Sequence, residues 1–527
     1  MIAPGAMEHM EIIIVSLLIA VAGLSAVATR IGVPYPILLV LGGLAMGFLP
    51  GIPDVTLEPE LVLVVFLPPL LYAAAFFANL RELRADARAI TLASTLLVVA
   101  TAAAVAVAMH ALVDGLPWAA CFAMGAIVAP TDPVAATAIA RRFDLPRRTI
   151  NLLEGESLVN DASALVLYRI AVGAIGGGAF SLIGAGLEFI VSAAAGAAIG
   201  LVVGRVITEI RRHLDDPPVE ITISLLSGYA AYVPAEALHV SGVIAAVTAG
   251  VAIGWWAPGI ASPEVRQQGF ALWSLLAFLL NAILFVLIGL QLPAILDGLS
   301  GESTGFLLGV ALTISAVVIG TRVVWSLFTP FVIRALDRRE SQRARRSDWR
   351  ARMVIAWSGM RGAVSLAAAL ALPADTPQRD LLVFLTFAVI LATLVFQGLT
   401  LPALIRRLGV HGDDSEQREE LRARLVATQA ALARLDELAA EEWTRDETAE
   451  RMVAFYDYRR RRLKARAGKI EDDGYEDRSF TYQTVVREVL EAQRAEVVRL
   501  RNEGTISNEV MHRIERELDL EDERLEI

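Results

Sequence analysis

Between residues 121 and 169 the chain reads CFAMGAIVAPTDPVAATAIARRFDLPRRTINLLEGESLVNDASALVLYR. Two apolar segments, joined by a short basic loop, carry Thr131, Asp132, Glu154, Glu156, Ser157, Asn160 and Asp161. Carboxylates in segments of bilayer-spanning length are costly, and such residues mark ion and proton pathways. In the second segment Glu154, Ser157 and Asp161 fall at i, i+3 and i+7, on one helical face, with Glu156 and Asn160 on a neighbouring one. Asp161 lies deepest in the apolar run and is the best candidate to hold a cation or a proton. An unhydrated monovalent cation takes several oxygen ligands. The carboxylates of Asp161 and Asp132, the Ser157 hydroxyl and the Thr131 carbonyl can supply them, together with water. Proton and cation then compete for one site, which is the chemistry an exchanger requires.

Glu156 calls for a different role. Arg322, in GTRVVWSLF, is an intramembrane base with no acid near it in sequence. The pair Glu156–Arg322 is expected as a structural ion pair, because either charge left alone would be buried without compensation. The converse assignment, Glu156 as the transport carboxylate and Asp161 as the structural one, stays open.

Two segments are interrupted in their middle. Pro130 and Pro133 bracket Thr131 and Asp132, and each proline removes a backbone donor and disfavours a helical residue before it. Gly359 and Gly362 flank Met360 and Arg361 in VIAWSGMRGAVSLAAAL, a weaker break. Broken helices in corresponding places in two halves point to a transporter with inverted repeats. Half-helix ends carry partial charges, so Asp132 at one break and Arg361 at the other can neutralise opposite sets of ends.

These residues must be positioned by membrane helices. Apolar residues make up 55% of the chain and come in blocks from Met10 to Leu408. Most blocks approach the roughly 20 residues needed to cross hydrocarbon. About thirteen spans are expected, near 10–30, 35–50, 58–78, 87–113, 117–140, 150–176, 180–210, 219–236, 240–254, 268–293, 303–334, 350–372 and 380–409. The fold class is an all-α membrane protein with a cytoplasmic helical tail: a transmembrane domain over 1–410 and a helical tail over 411–527. Arginines cluster in alternate loops (Arg81, Arg84, Arg88; Arg141, Arg142, Arg147, Arg148; Arg205, Arg211, Arg212; Arg338 to Arg346; Arg406, Arg407), which puts the N-terminus outside and the tail in the cytoplasm of a cell (inner) membrane. Glu8 and Glu11, with no early Lys or Arg, argue against a cleaved signal peptide. The tail reads as helices over 415–442, 444–467, 480–502 and 508–521, with 470–479 as a linker. A regulatory role and a merely solvated helical tail are both open there.

Several functions are disfavoured. Cys121 is the only cysteine, and no His-rich metal motif or nucleophile constellation is present, so no enzyme and no cofactor is expected. No repeated selectivity-filter loop suggests a channel. A net charge of −10 gives no reason to expect a nucleic-acid partner.

The motifs APTDPVA (129–135), EGESLVNDASALV (154–166), Arg322 and SGMRGAVSLA (358–367), with LPPLLYAAAF (67–76), resemble the monovalent cation:proton antiporters, in the bacterial branch with an Asn-Asp pair. The tail stretch LRNEGTISNEVMHRIERELDLE is also similar to that of several bacterial members. The resemblance implies a homodimer with dimerisation and core subdomains and alternating access. It implies exchange of Na⁺ (or Li⁺) for H⁺, in pH and sodium homeostasis, with Asp161 as transport carboxylate and Na⁺ at Asp161, Ser157 and Thr131. Asp132 would neighbour the ion, Glu156–Arg322 would be structural, and Asn160 would mark electroneutral exchange. Ala73 departs from the pattern, since some members carry an acid there. K⁺/H⁺ exchange and a transport-inactive membrane sensor are the alternatives.

Overall fold

The computed structural model describes residues 4–50, 58–175, 182–299, 301–336, 348–412 and 414–525. The chain forms two compact units, Met1–Gly412 and Asp413–Ile527. The expected loop over 50–57 and the arginine-rich loop over 338–346 fall almost wholly outside the described residues.

All the regular structure among the described residues is helical. Nine helical runs among the described residues are long and apolar enough to cross a membrane, and Val15–Ile31 and Tyr35–Gly47 are shorter apolar helices. The helix Pro217–Ala237 and the pair Trp349–Trp357 and Ala363–Leu370 fill the remaining expected positions.

In lipid the hydrophobic effect does not drive helices together, so close packing rests on small residues. Gly43 and Gly289 form a reciprocal case. A Cβ on Gly43 would strike the backbone of Val286, and one on Gly289 would strike Val40 and Leu44. The Tyr35–Gly47 and Pro263–Leu290 helices thereby touch backbone to backbone.

Within the first unit the spans sort into two packing groups. One gathers the first three spans with Leu182–Arg211, Pro217–Ala237, Gly242–Trp256 and Pro263–Leu290. The other gathers Ala87–Leu112, the first broken span (Trp118–Val128 and Pro133–Arg142), Arg147–Ile175, Thr304–Leu336, the second broken span and Arg379–Leu408.

Among the described residues, three spans contain wide π turns, at Val62–Phe66, Leu92–Leu97 and Ala392–Gln397. The first has a visible cause. Pro68 and Pro69 follow it and offer no N–H to the preceding turn. The carbonyl of Val65, which Pro69 cannot satisfy, instead accepts a hydrogen bond from the Tyr229 hydroxyl at 2.6 Å. A proline pair inside a span is thus accommodated by a partner from another helix.

In the second unit the helices are Ser415–Ala439, Asp446–Arg466, Tyr475–Asn502 and Asn508–Leu525. The third begins within the stretch read as a linker. Gly474 takes the left-handed conformation (φ 76°), and Asp472 accepts from the Tyr475 N–H at 2.8 Å. Gly504 ends that helix with φ 74°, and Ser507 caps the next through the Val510 N–H.

Candidate functional site: crossed helix breaks beside a polar cavity

The two interrupted spans meet at their interruptions. The first stops at Val128 and restarts at Pro133; the second stops at Trp357 and restarts at Ala363. The backbone N–H of Asp132 donates to the Met360 carbonyl at 2.7 Å, so a chain segment without its own helical partners finds one in the other break.

Charge is distributed over the four half-helix ends as their dipoles favour. The Asp132 carboxylate accepts from the Val134 N–H at 2.9 Å, capping its own half-helix. It also lies against Gly362, the residue preceding the half-helix Ala363–Leu370, where a Cβ would overlap the carboxylate. The buried Arg361 takes the opposite role. Its Nε donates to the Val128 carbonyl at 3.0 Å and Nη1 donates to the Gly359 carbonyl, covering C-terminal ends of both leading halves. Thr393 accepts from the Arg361 backbone N–H at 3.1 Å.

The acidic helix Arg147–Ile175 packs beside these breaks and presents its residues as the i, i+3, i+7 spacing requires. Ser157 donates to the Thr131 carbonyl at 3.0 Å. Asn160 donates to the same carbonyl at 3.3 Å and to the Thr131 hydroxyl at 2.9 Å, and that hydroxyl donates to Glu156 at 3.2 Å. Glu156 is held from its other side by Arg322, whose Nη1 contacts Oε1 and whose Nη2 donates to Oε2 at 3.0 Å. Both side chains are buried, in a fork geometry suited to guanidinium and carboxylate. Arg322 Nε also donates to the Ile355 carbonyl at 3.4 Å.

Asp161 differs from Glu156. It is 8% exposed, and it makes no hydrogen bond or ion pair with any described residue. It lines a cavity of about 350 Å³ together with Thr131, Asp132, Ser157, Ser365 and Asn281. The cavity lies between the two helix groups: residues 62–77 and 273–284 form one wall, and the breaks with the acidic helix form the other. Ala73 is on the first wall, where a carboxylate would face the cavity. Arg141 and Glu154 lie at the rim, 3.1 Å apart, with the Arg141 side chain 71% exposed.

The structure therefore brings Thr131, Asp132, Ser157 and Asp161 to one cavity. It places Glu156 and Asn160 behind them, both hydrogen-bonded to Thr131, with Arg361 at the breaks. The Thr131 carbonyl already accepts two hydrogen bonds, so the oxygens with more freedom are those of Asp161 and Ser157. The Ser365 hydroxyl, on the same cavity, is buried without a protein partner. No group of three or more His, Cys, Asp or Glu residues able to hold a metal exists among the described residues. The donor set is that of a carboxylate and neutral oxygens reached by water, suited to a monovalent cation or a proton.

Sequence reasoning missed the part of the first wall that comes from Pro263–Leu290. Trp273, Ser274 and Asn281 line it, and Asn281 was the readable signal, an amide within an apolar run.

Crossed broken helices flanked by buried charges, in a bundle of this length and apolarity, define a multi-pass membrane transporter. The chain belongs to the sodium/hydrogen exchanger family: residues 14–407 match its transmembrane description. It is 35% identical over 526 residues to an uncharacterized Na(+)/H(+) exchanger of Mycobacterium bovis, covering 98% of this chain and 96% of that protein. It is 33% identical to the Na(+)/H(+) antiporter ApNhaP of Aphanothece halophytica, covering 81% of each. The fold is also that of the sodium proton antiporter MjNhaP1 of Methanocaldococcus jannaschii, with a TM-score of 0.59 at 18% identity, over 76% of this chain and 99% of that one.

Proposed function

We propose that this protein exchanges Na⁺ (or Li⁺) for H⁺ across the cytoplasmic membrane, one for one, by alternating access. Asp161 is the transport carboxylate. The observation that carries this reading is the contrast between the two deep acids. Glu156 is neutralised by Arg322 and fixed through Thr131, whereas Asp161 faces the cavity with no hydrogen-bond partner among the described residues. A carboxylate already locked in an ion pair cannot load and release a cation without breaking that pair. Asp161 can, with the Ser157 hydroxyl as neutral ligand and Thr131 and Asp132 as neighbours.

One carboxylate that carries either a cation or a proton moves no net charge per cycle. Asp132 caps its own half-helix through the Val134 N–H and lies against Gly362 at the other break, a structural engagement that leaves Asp161 as the exchanging carboxylate. Asn160, where a second acid would add a charge, is a donor to Thr131.

The cavity between the two helix groups supports alternating access, in which the group carrying the breaks moves against the other. The other group is the dimerisation subdomain of a homodimer. The basic loops at the Arg141 end support a cytoplasmic cavity mouth and an N-terminus outside. The conformation is then inward-facing, and Asp413–Ile527 is a cytoplasmic helical tail.

Purified protein in liposomes, with an internal pH dye and a clamped potential, tests the proposal. A pH response to Na⁺ that ignores the potential is expected. A rate that follows the potential would add a second titrating group. A response to K⁺ in preference to Na⁺ would reassign the cation.

A further inference from the structure

At the end of Pro59–Phe76 the chain turns into the short helix Leu80–Ala85, which carries Arg81 and Arg84 on its exposed side. Both guanidinium groups lie over the ring of Trp255, at 5.8 and 6.0 Å from its centroid. The next residue, Trp256, has Arg205 over its ring at 5.8 Å. Trp255 is 47% exposed and ends the Gly242–Trp256 helix. Arginine–tryptophan stacking holds a guanidinium by its face and leaves its N–H edge free to fork onto a phosphate.

The arginines on this turn lack acids. Arg81 and Arg84 have no carboxylate partner among the described residues. The nearest acid in sequence, Glu82, is taken by Arg147 at 3.3 Å and by the Asn79 amide at 3.0 Å. Beside them lies an exposed apolar pair, Phe77 and Phe270, with ring centroids 5.1 Å apart. Cationic edges next to aromatic surface at the end of membrane-spanning helices match one kind of partner. That partner has an anionic head and a hydrocarbon tail.

We infer that Arg81, Arg84 and Trp255 form a binding site for the phosphodiester headgroup of an anionic phospholipid, whose acyl chain lies along Phe77 and Phe270. Charge complementarity and position favour a lipid over a soluble anion: the tail-side surface would serve no purpose for free phosphate. Phe77 also lines the ion cavity, so the lipid sits at the rim between the two helix groups. The site stands independently of which ions are exchanged.

The test measures lipid retention and not transport. The purified full chain in detergent micelles is mixed with equal amounts of dioleoylphosphatidylglycerol and dioleoylphosphatidylcholine, and retained lipid is counted by native mass spectrometry. Preferential retention of phosphatidylglycerol is expected. R81Q/R84Q should weaken it about thirtyfold, at the usual contribution of basic residues to anionic-lipid attraction. R81K/R84K should lose less of it, and R407Q, at the end of another span, should leave it unchanged. Equal retention of both lipids by the wild type, or full retention by R81Q/R84Q, would overturn the site. Displacement of phosphatidylglycerol by excess inorganic phosphate would also overturn it, in favour of a soluble-anion site. Should R81Q/R84Q not fold, W255L carries the test: a fall in phosphatidylglycerol retention supports the site, and no change refutes it.

Discussion

The N–H of Asp132 donates to the carbonyl of Met360 at 2.7 Å, a backbone bond that joins the two interrupted spans at their centres. Backbone polar groups freed by a helix break inside a membrane have no water to turn to. Here each break supplies part of what the other lacks. Asp132 then sits at helix N-termini and Arg361 at C-termini, so the charges are fixed by the same crossing. The breaks act as one structural object, and the close approach at Gly362 tests this. A Cβ there would overlap the Asp132 carboxylate. G362A should force the breaks apart and cost about 1–3 kcal/mol, the range for overpacking a filled site. Exchange should fall further than stability does, because Asp132 is displaced from the cavity wall. G320A, where a Cβ meets nothing within 4 Å, is the matched control and should leave both unchanged. Thermal unfolding and liposome exchange on the two variants give the comparison, and a G362A protein with ordinary activity would mean that the crossing tolerates movement.

Removing one partner of the Glu156–Arg322 pair leaves a charge buried and unpaired. R322A should destabilise the protein by about 3–5 kcal/mol, seen as a lower unfolding temperature and less monodisperse protein. A double replacement, E156L/R322M, removes both charges and should recover much of that stability, since an apolar pair of similar volume often substitutes for a buried ion pair. Thr131 would then lose one acceptor for its hydroxyl, so recovery of stability without full recovery of exchange is expected. A stable, well-folded R322A with altered ion preference would instead move Arg322 into the ion site.

How far the site was legible follows from what each part depends on. Pro130 and Pro133 announce their break locally, because a proline acts on its own turn. The partner of Arg322 was readable because a buried base needs an acid and few acids lie at that depth. Helix spacing alone put Ser157 and Asp161 on one face. The crossing of Asp132 with Met360 was not readable, because it depends on where two segments over 200 residues apart meet. The π turn before Pro68 was equally hidden, since its freed carbonyl is satisfied by Tyr229 from a later helix. The wall of Trp273, Ser274 and Asn281 belongs to the packing of two helix groups and left only the Asn281 amide as a trace. In the tail, the expected break between 502 and 508 is found because the Gly504 and Ser507 caps that make it are local, while the start at Tyr475 was obscured by the polar residues before it.

If Asp161 alone loads both ions, D161N should reduce exchange to the level of protein-free liposomes. Asn keeps the volume and a polar end but can neither ionise nor carry a proton in exchange for a cation. Because Asp161 makes no hydrogen bond with a described residue and Asn has nearly the same volume, the replacement breaks no internal hydrogen bond, and the unfolding temperature should stay close to that of wild type. Exchange retained at wild-type rate would return the transport role to Glu156 or Asp132.

Competition between proton and cation for Asp161 fixes the sign of the pH response. Lowering the pH on the side of the cavity raises the share of the site that holds a proton, so more Na⁺ is needed for half-maximal rate. For one proton competing with one cation, the apparent KM for Na⁺ should rise by up to about tenfold per pH unit in the acidic limb, while the maximal rate at saturating Na⁺ changes little there. In the alkaline limb the site is already deprotonated and the KM should level off, with rate then limited by the scarcity of protons to return. Exchange measured across a range of Na⁺ concentrations at each pH, in Asp161 wild-type protein and in S157A, separates the two effects. S157A removes a neutral ligand without adding a charge, so its KM curve should shift upward in parallel and keep the same slope. A steeper slope than one proton allows, in either protein, would show a second titrating group in the cycle and end the one-carboxylate account.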